Sequence, residues 1–297
     1  MEKLHRKLSW IGGFNMNEFI IDFQVTKNCN LNCEFCCGAD KSKKDSTTAE
    51  IKSVIDKLEK AGVDRIVLTG GEPLIRRDID EIIKYIYGKG IKVYLSTNGY
   101  FLKEHLDIIS DCVDCVGLPL DGYTPQLSEK MTRKDSQLDT TLNALKMIKE
   151  TNKNIITKVG TVVSKINYDT LEELGKLLYK NEEYEPDVWR LYQFTPLGEG
   201  KKTKDKFYID DKEYEYTVEK IKKKFSSKNI GSLSNEESND TYIFVAPDME
   251  IVGLTDDDYI SLGNALEMSY TDIINLRDNM EETLQNAKKN REWTIKK

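Results

Sequence analysis

Apolar and polar positions along this chain follow two rhythms that take turns. Phe19-Ile-Ile-Asp-Phe-Gln-Val25 is a short apolar run with strand character. Ile51, Val54, Ile55 and Leu58 then recur at the i, i+3, i+4, i+7 spacing of an amphipathic helix, behind the capping box Thr47-Thr-Ala-Glu50 and ahead of a stop at Gly62. Strands are predicted at 65–68, 91–95 and 116–120, and Ile79, Ile82, Ile83 and Ile86 mark a helix closed by Gly88 and Gly90. The unit repeats with a helix on Leu138, Leu142, Leu145 and Ile148, a strand at 155–163, a helix on Leu171, Leu174, Leu177 and Leu178, and a strand at 188–194. About six β/α units between residues 19 and 196 imply a parallel sheet covered by helices. Six are too few for a closed eight-stranded barrel, so the fold class is α/β, a partial (β/α)6 TIM-like barrel.

After Pro196 the rhythm changes. A polar linker at 198–204 leads to a charged helix at about 210–224, a β-hairpin of 241–245 and 250–254 around Pro247-Asp248, and a last helix at about 271–289. The expected organisation is an N-terminal segment (1–18), a core (19–200) and a C-terminal α+β extension (201–297).

Composition is that of an ordinary globular protein: 297 residues, 39% hydrophobic and 32% charged. The net charge of −7 argues against a protein that grips long nucleic acid through its phosphates. No apolar run reaches the roughly 18 residues of a membrane span, and polar groups interrupt residues 1–17 where a signal peptide would need an apolar stretch. Four of the six cysteines, Cys29, Cys33, Cys36 and Cys37, fall within nine residues. In a chain too large to need disulfide staples, that clustering favours metal-ligating thiolates in a reducing cytoplasm.

The unusual residues sit where the strands end. Cys29-Asn-Leu-Asn-Cys33-Glu-Phe-Cys36 follows the first strand, Thr69-Gly70-Gly71-Glu72-Pro73 the second, Ser96-Thr97-Asn98-Gly99 the third and Asp121-Gly122 the fourth. Carboxyl ends of parallel strands are where β/α folds build their sites. Three thiolates spaced in this way can hold one face of a [4Fe–4S] cluster and leave one iron open. The alternative, a zinc knuckle, wants a fourth Cys or His, and His5 and His105 lie outside any motif. Cys37, Cys112 and Cys115 are one short of a second four-cysteine site; Cys112 and Cys115 read as packed thiols, and Cys37 as a packed thiol or a spare ligand.

Cys29-x3-Cys33-x2-Cys36, with Phe35 before the last cysteine, resembles the cluster motif of the radical S-adenosylmethionine (SAM) superfamily, and the order Gly-Gly-Glu-Pro, Thr-Asn-Gly, Leu-Asp-Gly matches it across about residues 19–200. The resemblance implies that Cys29, Cys33 and Cys36 ligate one [4Fe–4S] cluster and that SAM binds its open iron. It further implies that Phe35 and the backbone of Gly70, Gly71 and Glu72 contact the cofactor, the glycine turn receiving the SAM amino group. Thr97 and Asn98 would lie near the SAM carboxylate and ribose, and Arg133, twelve residues past Asp121, on the carboxylate.

The stretches 242–253 and 262–267 resemble the hairpin extension of radical SAM maturases that carry auxiliary clusters there. No cysteine follows Cys115, so one cluster is expected. Among single-cluster relatives the layout resembles the nucleotide-modifying viperins, with Lys158, Arg190 and Tyr192 as substrate contacts, although Gly160 and Val188 depart from their pattern. The resulting expectation is an enzyme that abstracts hydrogen from a small anionic, nucleotide-like substrate and takes its electron from a donor such as flavodoxin or ferredoxin. Two alternatives stand beside it: a peptide-modifying maturase, and a module that binds metal or SAM without catalysis. Against the maturase, residues 1–18 are too short for a leader-peptide domain.

Overall fold

The computed structural model describes residues 18–38, 42–152, 154–238, 243–254 and 259–279. Residues 1–17 of the N-terminal segment, positions 241–242 of the hairpin and 280–289 of the last helix lie outside them.

Six strands lie side by side in chain order and pair in parallel: β1 (Ile20–Thr26), β2 (Arg65–Gly70), β3 (Lys92–Ser96), β4 (Cys115–Pro119), β5 (Ile156–Val163) and β6 (Val188–Gln193). The connecting helices are α1 (Thr48–Lys60), α2 (Ile79–Gly88), α3 (Leu106–Cys112), α4 (Pro125–Lys130), α5 (Gln137–Thr151) and α6 (Leu171–Leu178). Each longer helix buries the stripe its sequence predicts, such as Ile51, Val54, Ile55 and Leu58 on α1 and Ile79, Ile82, Ile83 and Ile86 on α2. Thr47 and Glu50 form the reciprocal capping box at the start of α1. The short α3 escapes a periodicity search because seven residues hold too few turns to repeat.

Side chains of a strand alternate between faces, and that alternation separates two environments. Ile21, Phe23, Ile66, Leu68, Val93, Val116, Val159, Trp189 and Leu191 are buried beneath the helices. Their neighbours line the concave face in rows set by the register: Asp22 opposite Val67, Val67 opposite Tyr94, Tyr94 opposite Cys115, and one step higher Ser96 opposite Gly117 and Gly117 opposite Lys158.

The extension continues this sheet. After α7 (Asp211–Lys224), β7 (Ile230–Leu233) pairs in parallel with β6, and β8 (Ile243–Val245) pairs in parallel with β1. β9 (Glu250–Leu254) and β10 (Tyr259–Asn264) then run antiparallel, and α8 (Tyr270–Asp278) packs on the outside. The ten strands run in the order β10-β9-β8-β1-β2-β3-β4-β5-β6-β7, an open sheet rather than a closed barrel. The β8–β9 hairpin lies where its sequence predicts. β7 and β10 were not anticipated: the first has two apolar residues in four, and the second carries a bulge between Ser261 and Gly263. The expected polar linker is instead two helical turns, Gly198–Lys201 and Lys204–Phe207, anchored by a fully buried Phe207.

Leu58 is fully buried between α1 and the sheet. Leu58→Ala should therefore lower the unfolding free energy by about 2–5 kcal/mol in a guanidinium titration; a loss below about 1 kcal/mol would show that α1 does not pack as described.

Candidate active site

The cysteine loop leaves β1 at Thr26, and Asp45 fixes its base. The Asp45 carboxylate accepts from Thr26 Oγ1 at 2.6 Å, the Lys27 amide at 2.8 Å and Asn28 Nδ2 at 3.0 Å. The loop is then joined to the end of β2 by backbone: the Gly71 amide donates to the Thr26 carbonyl and the Glu72 amide to the Asn28 carbonyl, each at 2.7 Å. This approach explains the two glycines. Gly70 sits at φ +137°, and a Cβ there would lie 2.3 Å from the Thr26 carbonyl oxygen; at Gly71 it would lie 2.1 Å from that of Asn28.

The far side of the loop is held as well. The Glu199 amide donates to the Cys36 carbonyl at 3.0 Å, the Tyr259 hydroxyl donates to the Cys37 carbonyl, and Lys43 pairs with Asp248 at 2.9 Å. Both the segment after β6 and the extension thus grip the cysteine loop.

Glu72 is buried, 1% exposed. Its Oε1 accepts from the Leu74 amide at 3.0 Å and Thr97 Oγ1 at 2.7 Å, while Oε2 accepts from the Asn98 amide at 2.7 Å. Burial pushes its pKa up, and these three donors oppose the rise. The carboxylate therefore shapes the 97–98 loop. Asn98 in turn donates from Nδ2 to Asn30 Oδ1 at 2.6 Å and lies 3.9 Å from Cys29 Sγ.

Cys29, Cys33 and Cys36 face one cavity of about 650 Å³, whose wall also includes Gly71, Glu72, Thr97, Asn98 and Arg133. Burial raises the Cys29 and Cys33 thiol pKa values, with Arg133 counteracting at Cys33. Arg133 donates from Nε to the buried Asp121 at 2.6 Å and from Nη1 to Cys33 Sγ at 3.5 Å, and its guanidinium lies 5.0 Å from the centre of the Phe35 ring. Burial works against its charge, yet Asp121 and the nearby thiols raise its pKa. Phe35 is itself buried with Met131, Phe194 and Phe207. Cys112 and Cys115 are core thiols, 8% and 3% exposed.

The thiols fit an iron–sulfur cluster. Among the described residues no three His, Cys, Asp or Glu side chains gather where a single ion could sit. Three thiols spread around one cavity suit a polynuclear centre, in which each thiolate takes its own iron.

Beyond the thiols the cavity runs along the concave face of the sheet past Ser96, Gly117 and Gly160 to Lys158 and Tyr192. Arg190 is buried, its guanidinium 5.4 Å from the Tyr192 ring centre. Asp22 faces the same interior, and burial pushes its carboxyl up to about 6 against the pull of Lys158 and Arg190. The sequence reading missed Asp22, Asp45, Glu199 and Tyr259. Asp22 had a local signal, a lone acid within an apolar strand; Asp45 reads as an ordinary acid before a helix cap, and the last two act through the fold alone.

The Radical SAM superfamily model matches residues 23–178, just over half of the chain. AdoMet-dependent heme synthase of Methanosarcina barkeri is 29% identical over 186 residues, 61% of this chain and 52% of that protein. GTP 3',8-cyclase of Clostridium perfringens is 32% identical over 189 residues, 61% of this chain and 56% of that protein. The chain spans about half the length of the curated relatives it matches. Among solved structures, anSMEcpe with bound AdoMet and Cp18Cys peptide superposes at a TM-score of 0.70 with 15% identity over 89% of this chain and 82% of that one. Streptococcus suis SuiB bound to S-adenosylmethionine gives 0.65 with 17% identity over 87% and 65%. These two likenesses establish the fold. Among the described residues no helix is long and apolar enough to cross a membrane.

Two outcomes follow from the geometry. Gly71→Ala should push the cysteine loop off β2 and cut iron incorporation severalfold while the far-UV circular dichroism is retained; full iron loading would show that the close approach is dispensable. Asp22 titrates near 6 when folded against 3.8 ordinarily, so the folded state holds the extra proton between those values and stability falls as pH rises through them. The loss from this one group is about 3 kcal/mol, complete above about pH 6. Relative to the wild type, Asp22→Asn should gain that amount between about pH 4 and 6.5 in urea titrations; a pH-independent difference would refute it.

Proposed function

Because the chain belongs to the radical SAM superfamily of enzymes, which work with a [4Fe–4S] cluster and SAM, we propose that it cleaves SAM reductively and directs the resulting radical at a small anionic, nucleotide-like substrate. The observation that carries this reading is one continuous cavity running from Cys29, Cys33 and Cys36 to Lys158 and Tyr192. Cys29, Cys33 and Cys36 would hold the cluster and leave SAM a ligand position on it, and the group would supply the one-electron reduction of the sulfonium that releases methionine and a 5′-deoxyadenosyl radical.

The chain's own residues do the holding. Carbonyls of the Gly70–Glu72 turn, fixed by the bonds to Thr26 and Asn28, receive the SAM ammonium. Thr97 and Asn98, ordered by Glu72, flank its carboxylate and ribose. Arg133 keeps donors available on the cavity side while Asp121 holds its Nε, and Phe35 backs it from the small core beneath the loop. Lys158 and Tyr192, with Arg190 behind them, hold the substrate deeper in the interior, away from water that would quench the radical. Residues 19–200 carry this machinery, 201–297 brace its open side, and a flavodoxin or ferredoxin in a reducing cytoplasm supplies the electron.

A peptide substrate is the second reading. The observation in its favour is β10, the end strand of the sheet, whose Tyr259 stands in the cavity wall; an extended peptide can add to such an edge. The relatives include both kinds, a cyclase named for GTP and proteins solved with bound peptides, beside a heme synthase of neither kind.

Anaerobic reconstitution should load about four irons and four sulfides per chain, since three ligating cysteines account for one cluster. With SAM and dithionite the protein should release 5′-deoxyadenosine, measured by liquid chromatography–mass spectrometry. Cys33→Ala should fall to the protein-free background, and a variant that retains full cleavage would overturn the reading. Stimulation of cleavage by nucleotides rather than short peptides would decide between the two substrates.

A further inference from the structure

The interior of the half-barrel holds charges whose arrangement says more about the substrate than its sign. Lys158 on β5 lies flat along the wall because Gly117 on the neighbouring strand has no side chain: a Cβ there would meet Lys158 Cε at 3.0 Å and Nζ at 3.6 Å. Ser96 Oγ would be 3.4 Å from the same atom, so the ammonium rests in the Ser96–Gly117 row, one residue below Thr97. Tyr192 lies across Gly160 in the same way, its ring carbon 3.1 Å from where a Cβ would be. Two glycines thus keep the interior open and press its polar groups against the wall.

Among the described residues, Lys158 makes neither an ion pair nor a side-chain hydrogen bond, although Asp22 carries an opposite charge into the same interior. Asp22 on β1 and Arg190 on β6 stand on strands that are not sheet neighbours, so their fields meet across the open interior. Counting formal charges at the deep end of the cavity, below the mouth where Lys27, Glu72, Arg133, Glu199 and Lys201 stand, Lys158 and Arg190 against Asp22 leave one positive charge. Lys222, which lies within range of both Arg190 and Glu237, is offset by Glu237 and leaves the balance unchanged.

Resting on the reading of this cavity as the substrate site, we infer that it takes a substrate with a single anionic group, a carboxylate or phosphomonoester, on Lys158, and that Asp22 determines specificity by repelling polyphosphates. The first anionic oxygen meets an unpaired ammonium. Each further phosphate enters the field of a fixed carboxylate one row below Lys158, in a region where low dielectric strengthens repulsion.

The test uses reconstituted holoprotein saturated with SAM and kept without reductant, so that the cations at the mouth are already engaged. Inorganic phosphate and tripolyphosphate are titrated by calorimetry at pH 7.5. In the wild type both should bind once per chain with affinities within about threefold of each other. Asp22→Asn should tighten tripolyphosphate about tenfold more than phosphate, and Lys158→Met should abolish both, with near-UV circular dichroism confirming that each variant is folded. The inference is overturned if wild-type protein prefers tripolyphosphate by tenfold or more, if Lys158→Met still binds, or if phosphate does not bind. Absence of SAM cleavage would strike the proposed activity instead, because the titration involves no turnover.

Discussion

Two amide hydrogen bonds hold this molecule's site together, from Gly71 to Thr26 and from Glu72 to Asn28. They tie the loop that carries the cysteines to the turn after the neighbouring strand, with backbones so close that no side chain fits between them. The thiols depend on that contact for their positions. So does Glu72, whose carboxylate is thereby aimed at the Thr97–Asn98 loop one strand further on. Three loops from three strands behave as one body because one backbone junction and one buried carboxylate connect them. A carboxylate in that place costs desolvation, and its three donors offset the cost.

The same sheet serves two purposes through its pleat. Residues pointing outward are mostly apolar, with Thr157 and Thr161 buried among them and Thr161 accepting from Trp189 Nε1 at 2.9 Å, and they supply the packing that makes the scaffold rigid. Residues pointing inward are mostly polar, charged or glycine, with Val67 among the exceptions, a composition that would destabilise a filled core. An interior left open for a ligand can hold it, and the apolar outer layer compensates. The extension contributes at the edge: β8 joins β1, and Lys43 and Tyr259 link its strands and loops to the cysteine loop.

Much of this was legible in the sequence for a definite reason. Helices α1 and α2 and strands β1–β6 are specified by local periodicity, and the Cys-x3-Cys-x2-Cys, Gly-Gly-Glu and Thr-Asn-Gly loops sit at strand ends that the periodicity itself locates. What escaped depends on chain crossings that no window of sequence contains. β7 and β10 are strands because neighbours offer them partners; four residues with two apolar side chains carry no strand signal of their own. The sequence marks Glu72 as part of a cofactor turn, and the fold adds its carboxylate facing Thr97 and Asn98. Phe35, expected beside the cofactor, also packs in a small apolar cluster with Phe194 and Phe207 and lies against Arg133.

Asp121 shows how the two ends of the cavity are made to keep step. One oxygen holds Arg133 Nε at 2.6 Å beside the cysteine loop, and the other accepts the Val162 amide of β5 at 2.7 Å. Asn167 adds a second tie, donating to the carbonyls of Asp121 and Val162 at 2.9 Å each. β5 is the strand that carries Lys158 and Gly160. A buried carboxylate with both oxygens occupied has little freedom to move, so Arg133 beside the cysteine loop and Lys158 on β5 are referenced to one fixed point. On the proposed function, hydrogen transfer would need the two reacting groups held at a set separation. A shared anchor between the two binding regions meets that requirement without any direct contact between them.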